Sequence, residues 1–383
     1  MKIGIISSSF YPATFYGGPI SSTWDISRHL ARNGIEIYVS TTNANGKGKL
    51  KIKTNEYIKK EGVFIKYYQE EIINKLSVSF ILGIYSDIKK VDVVYIQYLF
   101  HYTVLFSLLC SFFLNKKIIL CPRGSLSKFT LSNQHTILKL AWLNLFVRLF
   151  YRKIIWQASS YLEEGDIKRR FPNARIEVIP DGIDFSSFQN SEILSKEDVF
   201  FRYTSMSVKN ISSIFFSMGR LHEIKGFDVL IDAFSLYLNK DQNAKLIIAG
   251  GDDGVRDKLE SQISDLKIQE SVFLIGEVSF ADKKVLLNNC DYFALASKFE
   301  SFGIVIAEAL SCGKPIILSN KTPWQDLEKN KCGILADNDK GSFLDAFTKI
   351  VNQKFDSKEM RKYVRFNYDW KEIVDRFIKI IKN

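Results

Sequence analysis

Short apolar runs alternate with longer segments of helical length along most of the 383 residues. The runs are rich in isoleucine, valine and phenylalanine and are bounded by polar residues or glycine, which is typical of buried strands. Strands that alternate with helices build parallel sheets, so the pattern predicts an α/β fold. The clearest predicted strands are residues 2–7, 35–41, 91–97, 117–122, 214–218, 245–251, 272–275, 291–296 and 316–318.

The most informative stretch, DYFALASKFESFGIVIAEALSCGKPIIL, covers residues 291–318. It predicts a strand at 291–296, a helix with Ser301 as its N-cap that stops before Gly313, and a second strand at 316–318. A strand, a helix and a strand in this order form the unit that builds a parallel sheet.

Two carboxylates occupy unusual positions in this stretch. Glu300 follows the first strand, at the end where open α/β sheets bind ligands, and Glu308 lies in the helix between two alanines that leave room for a ligand. Between them, the backbone N–H groups of Gly303, Ile304 and Val305 start a helix, and such a turn attracts phosphate. Two acids that can hold hydroxyls and an anion-binding turn suit a sugar nucleotide.

Glycine and basic residues mark two further strand–helix junctions. The first β-α-β segment is Rossmann-like but has Gly17-Gly18 before its helix instead of G-x-G-x-x-G. After the predicted strand 214–218, the sequence GRLHEIKG places Arg220 and Lys225 where they can neutralise a diphosphate.

The length predicts two domains. We expect an N-terminal domain at 1–188, a linker or small insertion at 189–212 and a second domain at 213–367. The amphipathic segment 368–383 is expected to return to the first domain.

The net charge of +11 is concentrated in residues 116–170, which hold eleven cations and three acids. Cations interleaved with apolar residues, as in LKLAWLNLFVRLFYRKIIW, favour an anionic membrane surface. The alternative is a helix with an ordinary core stripe and a solvated basic face, and the sequence leaves both open.

Five widely spaced cysteines without a C-x-x-C motif predict reduced thiols and a cytoplasmic protein. Four histidines without an H-E-x-x-H motif predict no metal site. The N-terminus starts as a strand rather than a signal peptide, and the longest apolar run, 102–114, is too short to span a bilayer. We therefore expect a cytoplasmic protein, which would be peripheral on the inner face of the membrane if residues 116–170 bind lipid.

Four motifs together resemble a known family. The E-x(7)-E pair in FESFGIVIAEALSCGKPII, the pattern G-R-L-x-x-x-K-G, and the segment IPDGID resemble the retaining, nucleotide-sugar-dependent glycosyltransferases of the GT-B fold, family 4. The segment CPRGSL resembles the P-R-G-x-L motif of family members that build bacterial surface polysaccharides such as lipopolysaccharide or capsule.

The resemblance implies two Rossmann-like domains facing across a cleft. It also implies transfer of a hexose, with retention and without a metal, from a nucleotide-sugar, with UDP favoured. The acceptor would be a glycan or a polyprenyl-diphosphate-linked oligosaccharide. No cofactor is implied, because the nucleotide-sugar is a substrate, and nucleic acid is not an expected partner.

The same resemblance assigns roles to residues. It implies that Glu300 contacts the donor sugar, that Glu308 contacts the ribose, and that Arg220 and Lys225 stabilise the departing diphosphate. Retention would follow from front-face attack. The implied catalytic residues are Arg220, Lys225 and Glu300, and the implied donor-binding residues are Gly17, Gly18, Gly219, Val278, Ser301, Phe302, Gly303, Ile304, Val305 and Glu308.

On the acceptor side the candidates are Arg123, His101 and Glu163. Arg123 could hold a phosphate or carboxylate, or it could pair with a local acid. Relatives carry histidine where this chain has Gln97 and Gln157, which weakens any role for histidine in catalysis.

Two other functions fit parts of the sequence. A basic protein that binds nucleic acid or another polyanion without catalysis would account for the charge. A GT-B epimerase or phosphorylase would share the fold, although the histidine-poor first half argues against an epimerase.

Overall fold

The computed structural model describes residues 1–13, 17–46, 48–71, 76–132 and 135–382. These form two compact units. Unit 1 comprises Met1–Gly182 and Trp370–Asn383, and unit 2 comprises Ile183–Asp369.

The strands are β1 (Lys2–Ile6), β2 (Glu36–Thr42), β3 (Ala44–Asn45), β4 (Gly48–Lys49), β5 (Tyr57–Lys60), β6 (Val63–Tyr68), β7 (Val93–Gln97), β8 (Lys117–Cys121), β9 (Ile154–Ala158), β10 (Arg175–Val178), β11 (Ile214–Met218), β12 (Lys245–Ala249), β13 (Val272–Gly276), β14 (Tyr292–Leu295), β15 (Ile316–Ser319) and β16 (Gly333–Ala336).

The α-helices are α1 (Gly18–Arg32), α2 (Val78–Lys89), α3 (Tyr102–Phe113), α4 (Lys128–Ser132), α5 (Thr136–Trp142), α6 (Arg148–Phe150), α7 (Tyr161–Arg170), α8 (Lys196–Thr204), α9 (Phe227–Tyr237), α10 (Arg256–Asp265), α11 (Phe280–Asn289), α12 (Ile304–Ser311), α13 (Lys340–Ile350), α14 (Ser357–Tyr368) and α15 (Trp370–Lys382). A π-helical turn, Leu143–Val147, joins α5 to α6, and 3₁₀ turns cover Phe185–Phe188 and Glu223–Lys225.

The sheet of unit 1 has the order β10-β9-β8-β7-β1-β2-β6-β5. Its pairs are parallel except β5 with β6, where an antiparallel strand closes one edge. The strands β1, β7 and β8 near the centre of the sheet are mostly apolar, because helices cover both faces of a parallel sheet. The short hairpin of β3 and β4 lies within residues 43–55, where the sequence predicts only a polar loop.

Helix α15 belongs to unit 1 and completes its core. Trp370, Val374, Phe377 and Ile381 are buried on one face of the helix, at the spacing of an amphipathic helix. The Phe377 ring lies 4.7 Å from the ring of Tyr95 on β7, centroid to centroid.

Unit 2 contains a parallel sheet with the order β13-β12-β11-β14-β15-β16. The predicted linker 189–212 contains α8, and Val199 and Phe200 of this helix are part of the core of unit 2. The two parallel sheets confirm the predicted α/β class.

Helix α12 begins later than its predicted N-cap. Gly303, not Ser301, is the N-cap, and its φ of 81° lies in the left-handed region that glycine adopts without strain. The predicted C-terminal stop at Gly313 is confirmed, since Cys312 is the C-cap.

Within the described residues, no helix combines the length and the apolarity required to cross a membrane.

Candidate active site

The candidate site lies at one edge of the unit 2 sheet. Because the strands are parallel, the residues that follow β11, β12, β13 and β14 meet at the same edge. Gly219 and Arg220 follow β11, Val278 follows β13, and Glu300 follows β14. The sheet order places β11 directly beside β14, so the basic motif and the first acid of E-x(7)-E become neighbours.

Lys225 and Glu300 form an ion pair at this edge. Lys225 Nζ lies 2.6 Å from Glu300 Oε1, and the side chains are 17% and 11% exposed. The same carboxylate oxygen accepts a hydrogen bond from Ser297 Oγ at 2.7 Å. The two side chains therefore place an ammonium and a carboxylate of fixed orientation side by side. Both are partly shielded from solvent, so that each would interact strongly with a ligand.

Gly226 explains why the basic motif ends in glycine. Its φ is 64°, and a Cβ atom at this position would lie 2.0 Å from the carbonyl oxygen of Ala296. The turn that carries Lys225 is thus in close contact with the end of β14, and Lys298 N also donates to Ile224 O at 2.7 Å. A side chain at residue 226 would push Lys225 away from Glu300.

Arg220 lies at the same edge with a different partner. Its Nη1 donates to Asp253 Oδ2, which follows β12, and the two side chains are 48% and 30% exposed. The guanidinium is therefore held beside the sheet edge while much of it remains open to solvent.

The N-terminus of α12 presents backbone donors near Glu300. Ile304 and Val305 are in the first turn, where N–H groups have no partner within the helix. The N-cap, Gly303, has no side chain that could cap them. Ser301 is half-buried in the loop before them. The Phe302 side chain, by contrast, packs in the core against Trp324, whose Nε1 donates to Phe302 O at 2.7 Å.

Glu308 is less open than its small neighbours suggest. It is 5% exposed, and its Oε1 lies 2.5 Å from Lys283 Nζ of α11. Lys283 also lies over the Phe280 ring, 5.0 Å from its centroid. Lys283 is not among the residues predicted from the sequence, because α11 carries no sequence motif that marks it as part of a site.

In unit 1, Gly17 and Gly18 lie at the start of α1. Gly17 is the N-cap, and its carbonyl oxygen accepts from Ile20 N at 3.1 Å. Both glycines are at the carboxyl end of β1, at the edge of the sheet reached also by β7 and β8.

Arg123 is buried beside an acid. Its side chain is 3% exposed, its Nη1 is paired with Asp181, and its Nε donates to Gln97 Oε1 at 3.0 Å. Burial opposes the charge, but Asp181 outweighs this effect and holds the pKa of Arg123 well above its ordinary value. Of the two possibilities that the sequence left open for Arg123, the structure shows the pairing with a local acid, Asp181.

Glu163 is buried in unit 1, where its carboxylate accepts hydrogen bonds from the protein itself. One oxygen accepts from Gly124 N at 2.5 Å, and the other accepts from Ser159 N at 2.7 Å and Ser159 Oγ at 2.6 Å. Burial raises the pKa of the carboxyl despite these donors. Glu163 thus connects the loop after β8 to the loop after β9 and holds Gly124 beside Arg123.

His101 is the N-cap of α3, and its Nδ1 lies 2.9 Å from Thr103 Oγ1. It lines a separate cavity in unit 1 rather than the cluster of Arg123 and Glu163. In the part of the chain that the structure describes, no cluster of three or more histidine, cysteine, aspartate or glutamate residues could hold a metal ion.

Residues 207–383 match the family model described as glycosyl transferases group 1. The matched part, just under half of the chain, is similar to group 1 glycosyltransferases. It includes Arg220, Lys225, Glu300 and Glu308, so the recognition made from their motifs is confirmed.

Two curated relatives and one solved structure illustrate the similarity. An uncharacterized glycosyltransferase of Methanocaldococcus jannaschii is 31% identical over 179 residues, covering 47% of this chain and 45% of the relative. The GDP-mannose:cellobiosyl-diphosphopolyprenol alpha-mannosyltransferase of Xanthomonas campestris is 24% identical over 253 residues, covering 63% of this chain and 62% of the relative. The matches thus span less than two thirds of either relative.

The crystal structure of Anabaena Alr3699/HepE in complex with UDP has a TM-score of 0.78 and 18% identity, with 100% of both chains covered. At this identity the likeness concerns the fold, and it confirms the predicted GT-B glycosyltransferase fold for the chain.

Proposed function

We propose that this protein is a glycosyltransferase that binds a nucleoside diphosphate sugar at the carboxyl edge of the unit 2 sheet and transfers the sugar with retention. The observation that carries the proposal is the Lys225–Glu300 pair, 2.6 Å apart and next to the N-terminus of α12. A donor of this class needs cations or N–H groups for the diphosphate and a carboxylate for sugar hydroxyls, and these groups are adjacent here.

The residues divide the work by charge. The Lys225 ammonium, the Arg220 guanidinium and the N–H groups of Ile304 and Val305 would neutralise the diphosphate as it leaves. Glu300 would accept from the donor sugar, and Glu308 would accept from the ribose. The bond between the anomeric carbon and the phosphate oxygen breaks while the acceptor oxygen bonds from the same face, and its proton passes to the departing phosphate oxygen.

A polyanion-binding protein without catalysis is a poorer fit to this edge. Arg220 lies beside Asp253 and Lys225 lies beside Glu300, so each cation has a carboxylate next to it. Such carboxylates repel a polyanion but suit a ligand that has hydroxyls beside its phosphates.

For the donor we propose a UDP-sugar. The support is the whole-chain fold similarity to the Anabaena protein whose structure contains UDP. The name of the Xanthomonas relative specifies GDP-mannose instead, so the donor panel must include both bases.

For the acceptor we propose a lipid-linked oligosaccharide of surface polysaccharide synthesis. The support is the diphosphopolyprenol acceptor named for the Xanthomonas relative, together with the surface of unit 1. Between Asp92 and Glu163 the chain has no acidic residue, and it has eight cations there. Such a segment suits an anionic membrane surface.

The segment from α5 to the loop after α6 places apolar and basic side chains outward together. Ile137 is 83%, Leu145 63% and Leu149 70% exposed, and Arg148 and Arg152 are exposed on the same stretch. Exposed leucines among arginines are typical of helices that lie in a membrane interface. We propose that unit 1 binds the inner membrane surface through this stretch.

A panel of UDP-, GDP- and ADP-sugars tests the donor. The expected result is that one nucleotide series raises the melting temperature and is hydrolysed slowly, with and without EDTA. NMR of the glycoside made with a matching acceptor should show the donor's anomeric configuration. No nucleotide binding at any base, or inversion of the anomer, would refute the proposal.

Sedimentation with anionic liposomes tests the membrane surface. Neutralising Arg148 and Arg152 with glutamine should release the protein. The matched control is the same change at Lys168 and Arg169, which are already paired with Glu164 at 2.5 Å and Asp166 at 2.7 Å. Equal loss from both double variants would point to net charge alone.

A further inference from the structure

Unit 1 contains a cavity of about 450 Å³ beside α5, outside the cluster formed by Arg123 and Glu163. Its walls include Phe100, Tyr102, Leu138 and Trp142, and its polar side chains are His101 and Lys139. The volume lies in the range of small-molecule sites, roughly 300 to 1,000 Å³.

The polar atoms of the walls are used within the protein. Trp142 Nε1 donates to Leu99 O at 3.1 Å, and the Tyr102 hydroxyl accepts from Ser77 N at 2.9 Å. Burial raises the pKa of the Tyr102 hydroxyl to about 12, so this group stays protonated well above physiological pH. The walls therefore offer apolar surface to an occupant.

This lining argues against a sugar as the occupant. A sugar ring carries several hydroxyls that each need a partner, and leaving them unpaired costs free energy. His101 Nδ1 already lies 2.9 Å from Thr103 Oγ1, and Lys139, which donates to Thr130 O at 2.7 Å, is the one cation among the lining residues named above. These groups are too few to serve the several hydroxyls of a sugar. An apolar chain needs no such partners.

The charge around the cavity specifies the rest of the ligand. Lys139 brings a cation to the cavity, and all six of the lining residues named above belong to the stretch from residue 93 to residue 162, which contains no acid. An anionic group at the end of the apolar chain would be attracted to the Lys139 ammonium, whereas the carboxylates of Glu70 and Glu71 interact with Tyr102.

We propose that this cavity binds the prenyl chain of a phosphorylated polyprenyl acceptor, with the phosphate near Lys139. The inference rests on the proposed function, because it identifies the lipid part of the acceptor. It adds a site that the exposed stretch of Ile137, Leu145 and Leu149 does not explain. The exposed stretch would bind the surface of the bilayer, whereas the cavity would bind a single prenyl chain.

Calorimetry with farnesyl phosphate, below its aggregation threshold, tests the site, with farnesol and inorganic phosphate as the other probes. The wild type should bind farnesyl phosphate, bind farnesol more weakly and fail to bind inorganic phosphate. Leu138→Asp places a carboxylate in the apolar wall and should weaken binding of farnesyl phosphate at least about tenfold.

The matched control is Ile137→Asp, the same change one residue earlier on the same helix. Ile137 is 83% and Leu138 68% exposed, so both variants should fold, which melting curves will verify. Ile137 does not line the cavity, and we expect less than about a twofold change. Lys139→Gln should weaken farnesyl phosphate by up to about fivefold and leave farnesol unchanged.

Failure of the wild type to bind farnesyl phosphate, or equal loss in the variants at residues 137 and 138, would overturn the proposal. Nucleotide binding by the same preparations is measured separately. Retained nucleotide binding without farnesyl phosphate binding would refute the prenyl site alone, whereas absence of nucleotide binding would count against the proposed function.

Discussion

Lys225 Nζ and Glu300 Oε1 lie 2.6 Å apart although 75 residues separate them along the chain. The pairing follows from the sheet order, in which β11 and β14 are neighbours even though β12 and β13 come between them in sequence. Two motifs that are far apart in the sequence thus contribute the two members of one ion pair in the fold.

Replacing either member of this pair should reduce sugar transfer. Lys225→Ala removes the cation beside the departing diphosphate and should raise the barrier by about 2–4 kcal/mol. Glu300→Gln retains the shape but loses the charged acceptor for sugar hydroxyls, and we expect a loss of turnover as well. Steady-state kinetics with the donor identified by the panel provides the measurement.

The control for Glu300→Gln is Glu260→Gln in the same unit. Glu260 pairs with Arg256 on the surface, with side chains 50% and 36% exposed, and its loss should leave turnover unchanged. Normal rates in Lys225→Ala and Glu300→Gln would remove both residues from the reaction.

Glu308 and Lys283 allow binding to be separated from packing. Glu308→Ala should weaken nucleotide binding if the carboxylate contacts ribose. It should also destabilise the fold by up to about 3 kcal/mol, because Lys283, whose side chain is 16% exposed, loses a charged hydrogen bond. Lys283→Met leaves the carboxylate in position, so it should retain nucleotide binding. Calorimetry gives the affinity and thermal unfolding gives the stability.

If Glu308 serves packing alone, both variants should be less stable. The folded fraction of each should then bind the nucleotide with the affinity of the wild type. Nucleotide affinity that is unchanged in folded Glu308→Ala would contradict the ribose contact.

Arg123 should contribute to stability through Asp181. Arg123→Met leaves Asp181, which is 8% exposed, without its cation, and removal of one member of a buried pair costs about 3–5 kcal/mol. A second change, Asp181→Leu, should recover part of the loss, because the uncompensated charge is gone. Melting temperatures of the single and double variants test this expectation.

Arg175→Met is the comparison for Arg123→Met. Arg175 is 48% exposed and lies 3.8 Å from Glu177, so its loss should cost less than about 1 kcal/mol. A loss at residue 123 no larger than that at residue 175 would mean that the buried pair is not a stabilising contact.

The cysteines should respond to pH according to their burial. Burial raises the pKa of Cys121, Cys290 and Cys312 to about 12. At pH 8 these thiols are protonated and covered, so a thiol reagent should react first with half-buried Cys110 in the native protein. Counting modified thiols by mass spectrometry, with Cys110→Ser as control, measures this order.

The same shifts have a consequence for stability. The folded-state pKa of each buried thiol is raised above the unfolded value of about 8.5. The stabilisation is present below that value and is lost as pH rises toward about 12. The free energy of unfolding should therefore fall above pH 9, and less steeply in Cys290→Ala. An equal slope in this variant would contradict the assignment.

The sequence predicts most of the fold because its strands are short apolar runs with clear ends. Residues 214–218 form β11 as predicted, between a polar segment and Gly219. The sequence does not predict β5, because Tyr57–Lys60 is a half-polar edge strand whose pairing with β6 depends on tertiary structure. The sequence predicts Ser301 as the N-cap of α12, whereas the N-cap is Gly303, where glycine adopts the left-handed backbone without strain.

The candidate site is predictable in part for the same reason. Motifs identify Arg220, Lys225, Glu300 and Glu308, but a motif carries no information on the partner of a side chain. Lys283 comes beside Glu308 only through the packing of α11 against α12. For these residues the roles in binding and catalysis remain predictions.

Unit 1 obtains its last core residues from the end of the polypeptide. Trp370, Val374 and Phe377 of α15 pack with strands that are synthesised first, while all of unit 2 is made in between. On the ribosome, the N-terminal sheet must therefore wait, with part of its apolar face uncovered, until translation reaches α15. Nascent unit 1 therefore exposes apolar core surface until the last helix is made, whereas unit 2 holds its own core within one continuous segment.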